Sequence, residues 1–304
     1  MTTGSEQPIW EPSAAEVERA ALTRFAAWLA AERGVQTEGY HELWRWSVDR
    51  VEEFWMAIWD YFEVISDAPP ERALGSREMP GAEWFPGTRL NYAEHVFRGH
   101  ADEEVALVHA SELRELAELS WGELRREVAR VAAGLRALGV GEGDRVVAYL
   151  PNVPEATIGF LATASLGAVW SSASPDFGAD SVVDRFAQIE PKVLLAVDGY
   201  RYGGRDFSRL ETVDLLRERM PSLEATVLVP YLDPGARLDG AVLWEELGAG
   251  GAEELSFVRV PFSSPLWVLY SAGTTGLPKA IVQGHGGILL EHLKKLHLHF
   301  DLRA

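Results

Sequence analysis

The chain has 304 residues, 47% of them hydrophobic and 24% charged, enough apolar content to bury a large core in one or two domains. A formal net charge of −18 argues against nucleic acid or an anionic membrane as the main partner, because both ask for a basic surface. With no cysteine, disulfides, thiolate metal sites and cysteine nucleophiles are excluded.

The first eight residues carry neither a basic flank nor an apolar core, so they do not read as a secretory signal, and a cytoplasmic location is expected. Ser13, with Glu16 three positions on, predicts a capped helix running to about Arg33 and stopped by Gly34. A second helix is expected over Glu42 to Phe62, where Val51, Phe54, Trp55, Ile58, Trp59 and Phe62 recur at helical spacing. Trp44, Trp46, Trp55 and Trp59 crowd the same segment, and core packing explains them better than a ligand-lining stripe. Asp67 to Pro86 holds four prolines and two glycines and reads as an irregular wrap. A short helix follows over Leu90 to Phe97, then a hairpin of Glu104 to His109 with Glu115 to Ser120.

Helices and strands then alternate. Helices are expected over Trp121 to Leu138, Pro154 to Leu166, Ala179 to Ile189 and Phe207 to Met220. Strands are expected at Arg145 to Leu150, Ala168 to Ser172, Lys192 to Val197 and Thr226 to Val229. Such alternation predicts an α/β fold in which parallel-sheet subdomains are flanked by helices. The glycine-rich run Gly139 to Gly143 follows a helix and precedes a strand, the wrong order for a dinucleotide loop. Ala156 to Pro175 carries no charge, yet its Thr, Ser and Gly content favours a buried helix–strand unit over a membrane span. Three parts are expected: a helical N-terminal cap and lead-in over 1–100, a first α/β subdomain over 101–260, and the start of a second over 261–304.

Pro265 to Tyr270 reads as a buried strand that runs into Ser271-Ala-Gly273-Thr274-Thr275-Gly276-Leu-Pro-Lys279, with a second short strand at Ala280 to Val282. Gly273 and Gly276 allow positive φ and bare amides, Ser271, Thr274 and Thr275 add hydroxyl donors, and Lys279 adds a mobile cation. This composition suits a phosphate cradle. It also suits a Gly-rich hairpin at a sheet edge. The mononucleotide P-loop is excluded, because two rather than four residues separate the glycines and Pro278 precedes the lysine.

The run Tyr270 to Lys279 resembles the phosphate-loop signature of the adenylate-forming enzymes, which include the acyl-CoA synthetases. Ala272 and Ala280 depart from the residues common there. The segments Trp84 to Glu94, Trp170 to Gly178, Asp184 to Val193, Asp198 to Arg205 and Ile281 to Gly287 look like the acetoacetyl-CoA synthetase branch of that family. The resemblance extends from about Trp28 onward and matches only the N-terminal half of such an enzyme. It implies a ligase that joins acetoacetate to CoA through an acyl adenylate, with ATP, Mg2+ and CoA as cosubstrates, in lipid and ketone-body metabolism. The isolated chain is expected to be inactive. An acetate-type synthetase and an inactive fragment or binding module are the alternatives.

The resemblance further implies that Ser271, Gly273, Thr274, Thr275, Gly276 and Lys279 hold ATP phosphates, with Thr274, Thr275 and Lys279 acting in catalysis. It places Arg201 and Arg205, beside Gly203-Gly204, at the nucleotide phosphates of CoA; a solvated loop is the alternative. His285 is placed near the substrate, or else is a helix-start residue satisfied by local hydrogen bonds. No metal-ligating residue is assigned, since the late histidines lack the carboxylate or cysteine a zinc pattern needs.

Overall fold

The computed structural model describes residues 9–250, 254–271 and 276–303. They fall into two compact units, one drawn from the residues up to Val64, Pro70–Pro86 and the residues from Gly287 on, the other from Ile65–Pro69 and Gly87–Gly286.

The first unit is mostly helical. Helix α1 covers Ala14–Arg19 under the expected capping box, in which Ser13 and Glu16 satisfy each other's amides. Helix α2, Ala21–Arg33, ends at Gly34 in the left-handed conformation. The single helix expected here is broken at Ala20, which is extended. The cause lies far away in sequence: the Asp301 carboxylate accepts the Ala21 amide at 2.9 Å, and Arg303 donates to the Arg19 carbonyl at 2.7 Å. One residue pair thus closes both helix ends at the junction. The second expected helix is also two, α3 (Tyr40–Asp49) and α4 (Val51–Tyr61), parted at Arg50.

The aromatic residues of α3 and α4 pack on one another and on nearby rings: Trp59 stacks on Phe85 at 4.7 Å, and Phe54 meets Trp55 and Trp46 edge-on. Tyr40 and Trp44 are exceptions, 53% and 52% exposed. Within the Pro-rich wrap, strands β1 (Leu74–Ser76) and β2 (Glu83–Trp84) form a small antiparallel pair.

The second unit begins with β3 (Arg89–Leu90), α5 (Tyr92–Val96) and the expected hairpin, β4 (Val105–His109) with β5 (Ala117–Ser120). Next come α6 (Trp121–Ala137), β6 (Arg145–Tyr149), α7 (Pro154–Ser165), β7 (Val169–Ala173), α8 (Ala179–Phe186) with a 3-10 turn to Ile189, and β8 (Val193–Val197). The predicted elements hold here to within a residue or two. Phe207 to Ser208, expected to open a helix, belongs instead to a hairpin of β9 (Gly199–Tyr202) and β10 (Arg205–Ser208), and α9 starts at Leu210 and runs to Arg219. The remaining strands are β11 (Ala225–Val229), β12 (Val242–Leu243), β13 (Val260–Pro261), β14 (Pro265–Ser271) and β15 (Lys279–Gly284). Helix α10 covers His285–His292 and passes into a π-helical stretch, Leu293–His299.

Seven strands make the central sheet in the order β12-β11-β8-β6-β7-β14-β15, parallel except for the last pair. Alternate residues of β6 and β8 (Val147, Tyr149, Leu194, Ala196) pack under α8 and α9 with Val182, Phe186, Val213 and Leu216. The opposite face takes α7, whose Gly159 lies so close that a Cβ there would sit 2.9 Å from Leu195 Cδ1. Helices that follow neighbouring strands therefore leave on opposite faces, and the C-terminal edge of the parallel strands is where such folds bind ligands. Among the described residues no helix is long and apolar enough to cross a membrane.

Candidate active site at the C-terminal edge of the sheet

Strand β14 is parallel to β7, so its end at Ser271 lies on the same edge as the ends of β6, β7 and β8. Lys279 pairs with Ser271 across the antiparallel β14–β15 ladder. Gly273, Thr274 and Thr275 lie outside the described residues. Gly276 has φ +90°, the left-handed region expected of it. Lys279 is exposed, and among the described residues its side chain has no ion pair or hydrogen bond. The loop is thus carried by an edge hairpin, and its cation is uncommitted.

Residues around it are held by hydrogen bonds rather than left to the loop itself. Gln188, in the 3-10 turn after α8, donates to the Pro278 carbonyl at 2.9 Å and to the Asp184 carbonyl at 2.6 Å, which fixes the exit of the loop. The Ser171 hydroxyl donates to the Val268 carbonyl at 2.7 Å and ties β7 to β14. Tyr149, fully buried at the end of β6, places its hydroxyl 2.8 Å from the Pro175 carbonyl and 2.7 Å from that of Phe177, so one proton serves the pair. Arg209 also donates to Pro175, at 2.6 Å. Burial raises the Tyr149 phenol to about 12 and keeps it a donor. Tyr270 is raised to about 12 for the same reason, and its buried hydroxyl has no partner among the described residues.

At the end of β8, Asp198 is nearly fully buried and accepts the amides of Tyr231, Leu232 and Asp233 at 2.7–2.9 Å, so it builds the loop after β11. Asn91 does similar work from the other side. Its side chain caps α5 through the Ala93 amide and donates to the carbonyls of Ala164 (2.8 Å) and Val258 (2.7 Å). Sequence reading placed both residues within motif segments but gave neither a task; a polar side chain inside an otherwise apolar stretch was the signal available.

His285 is fully buried at the start of α10. Its Nδ1 accepts the Tyr92 amide at 3.2 Å, which puts the ring hydrogen on Nε2, and that atom has no partner among the described residues. Burial lowers its pKa to about 4, so the ring is neutral. The structure therefore places His285 against Tyr92, not on an open surface.

Arg201 and Arg205 sit on the β9–β10 hairpin, away from the β14–β15 turn in sequence. Arg201 is engaged bidentately by Asp206 across the hairpin, at 2.6 and 3.1 Å. The Gly203 and Gly204 amides each donate to the Glu112 carboxylate at 2.7 Å. Among the described residues no three His, Cys, Asp or Glu side chains gather as a metal site.

An alternating parallel sheet with a hydroxyl- and glycine-rich loop at its ligand edge defines a class. Residues 93–302 match the AMP-binding enzyme family, and the chain belongs to it. Residues 40–96 match the family described as acetyl-coenzyme A synthetase N-terminus. The chain is 42% identical to an acetoacetyl-coenzyme A synthetase of Rhizobium meliloti (strain 1021) and 39% identical to one of Macaca fascicularis, in each case over 98% of this chain and 46% of the relative. It superimposes on the structure of the acetoacetyl-CoA synthetase from Streptomyces lividans with a TM-score of 0.94 and 54% identity, over 97% of this chain and 46% of that one. The chain thus spans about half the length of the relatives it matches.

Proposed function

We propose that this chain supplies the phosphate-gripping part of an ATP-dependent acid–thiol ligase that converts acetoacetate to acetoacetyl-CoA through an acyl adenylate. The observation that carries the reading is Lys279, whose side chain makes no ion pair or hydrogen bond among the described residues, set opposite Ser271 at the C-terminal edge of the parallel strands. Its support in sequence is the likeness to the acetoacetyl-CoA synthetases above.

In the reaction a carboxylate oxygen attacks the α-phosphorus of ATP and pyrophosphate leaves; the CoA thiol then attacks the acyl carbon and AMP leaves. Attack of one anion on another needs charge neutralisation and alignment more than proton transfer. Ser271, the amides of Gly273 and Gly276, the hydroxyls of Thr274 and Thr275, and Lys279 would hold the outer phosphates as the leaving group gains charge. Mg2+ supplies further counter-charge when bound with ATP. Arg201 and Arg205 are assigned to the nucleotide phosphates of CoA, and His285 to a supporting position beneath Tyr92 rather than to direct contact.

The test is Lys279→Ala in a complete enzyme carrying this sequence. Acetoacetate-dependent pyrophosphate release is expected to fall by about 10²–10³-fold, the usual cost of deleting one group that stabilises developing charge, with an unchanged unfolding midpoint. Normal pyrophosphate release would overturn the assignment. An acetate-type activity is the second reading, favoured by the family match of residues 40–96, and the ratio of kcat/KM for acetoacetate over acetate separates the two.

A further inference from the structure

The β9–β10 turn is built to hold an anion. Gly203 (φ 58°) and Gly204 (φ 72°) are both left-handed, which turns two successive amides to one side. The anion they hold is internal: each amide donates at 2.7 Å to a different oxygen of Glu112. A phosphate presents the same kind of oxygen pair.

Glu112 does not reach this seat by chance of a loose loop. It lies between β4 and β5 in a turn closed by the Ser111 hydroxyl, which accepts the amides of Leu113 and Arg114 at 3.1 and 3.0 Å. Arg114 then clamps the turn through two bonds to Glu155, at 2.9 and 2.7 Å, and lies 4.8 Å over the Tyr231 ring. The two arginines of the hairpin differ in availability. Arg201 is committed to Asp206, whereas Arg205 forms no ion pair among the described residues.

We propose that Glu112 is a built-in competitor, whose carboxylate fills the anion seat of the Gly203–Gly204 turn and must swing away before a phosphate group binds there beside Arg205. The proposal rests on the reading of this turn as the contact for the CoA nucleotide, and it adds that the contact is occluded until Glu112 is displaced.

The test follows the Gly203 and Gly204 amide resonances of the chain while adenosine 3′,5′-bisphosphate, the phosphorylated nucleotide end of CoA, is titrated in, with adenosine as control. In Glu112→Ala the apparent Kd from these two amides is expected to be about two- to fivefold tighter than in the unsubstituted chain, the scale of one exposed charged contact. Adenosine is expected to shift neither amide. Arg205→Ala is expected to weaken the bisphosphate in both backgrounds.

Equal Kd with and without Glu112, while Arg205→Ala still weakens binding, overturns the competitor and keeps the turn as a phosphate contact. An equal tightening for adenosine overturns it too, because the gain is then not owed to phosphate. If the two amides fail to respond to the bisphosphate in every variant, the reading of the turn fails along with the competitor.

Discussion

Replacing Asn91 by alanine removes one N-cap and two donors from a fully buried position. Losing the cap on Ala93 costs about 1 kcal/mol. Each lost hydrogen bond to a carbonyl costs about 1 kcal/mol, and a carbonyl left bare costs about 1–2 kcal/mol more. The three partners do not suffer equally. Ala164 O still accepts the Gly167 amide at 3.0 Å, so it stays half satisfied, while Val258 O has no other bond among the described residues. The sum is about 4–5 kcal/mol for the second unit. At about 2–4 °C per kcal/mol for a unit of this size, the midpoint should drop by roughly 8–20 °C.

Equilibrium urea unfolding followed by circular dichroism measures the change. A cost below about 1 kcal/mol would refute the reasoning, because the buried carbonyls would then have found other partners. Asn91→Asp sharpens the test. It keeps the cap but faces a carboxylate toward the Ala164 and Val258 carbonyls. Burial and those oxygens raise its folded-state pKa, so the variant should be at least as unstable as Asn91→Ala at neutral pH and should recover as pH falls through that raised value.

Two further outcomes test the frame of the site. Burial lowers His95 and His285 to about 4 from 6.5, so the unfolded chain protonates first on acidification, and each contributes a loss of about 1.4 kcal/mol per pH unit between those values. His285→Asn, which keeps an acceptor for the Tyr92 amide, should flatten the fall in stability between pH 6.5 and 4; an unchanged slope contradicts a neutral buried His285. Gly286→Ala places a Cβ 2.2–2.5 Å from the Phe262 ring and should cost about 1–3 kcal/mol in urea unfolding, and a neutral result means that ring is free to move.

Much of the fold was legible because its signals are local. The capping box of Ser13 with Glu16 formed as expected, and the helix–strand alternation from Trp121 to Val229 gave a parallel sheet covered on both faces. The misses came from partners distant in sequence or from one signal with two meanings. Nothing near Ala20 predicts a break; Asp301 and Arg303 make it. Gly203-Gly204 carried a hairpin signal as well as a phosphate signal, and only the second was used, which left β9 and β10 unread. At the candidate site composition marked Ser271 to Lys279 as a candidate loop. The side chains that tie down its surroundings were not marked, since Gln188 and Ser171 act on Pro278 and Val268, and Tyr149 on Pro175, through backbone carbonyls that periodicity cannot reveal.

The joint at Ala20 also bears on how the polypeptide assembles as it is made. Ala21 waits for a carboxylate that is translated 280 positions later, so the joint between α1 and α2 is sealed only after the intervening polypeptide has been made. The sheet-bearing unit is encoded almost wholly inside that interval and holds its own hydrogen-bond partners. Vectorial synthesis therefore lets the sheet-bearing segment mature before the joint at Ala20 closes, the reverse of the customary order for successive domains.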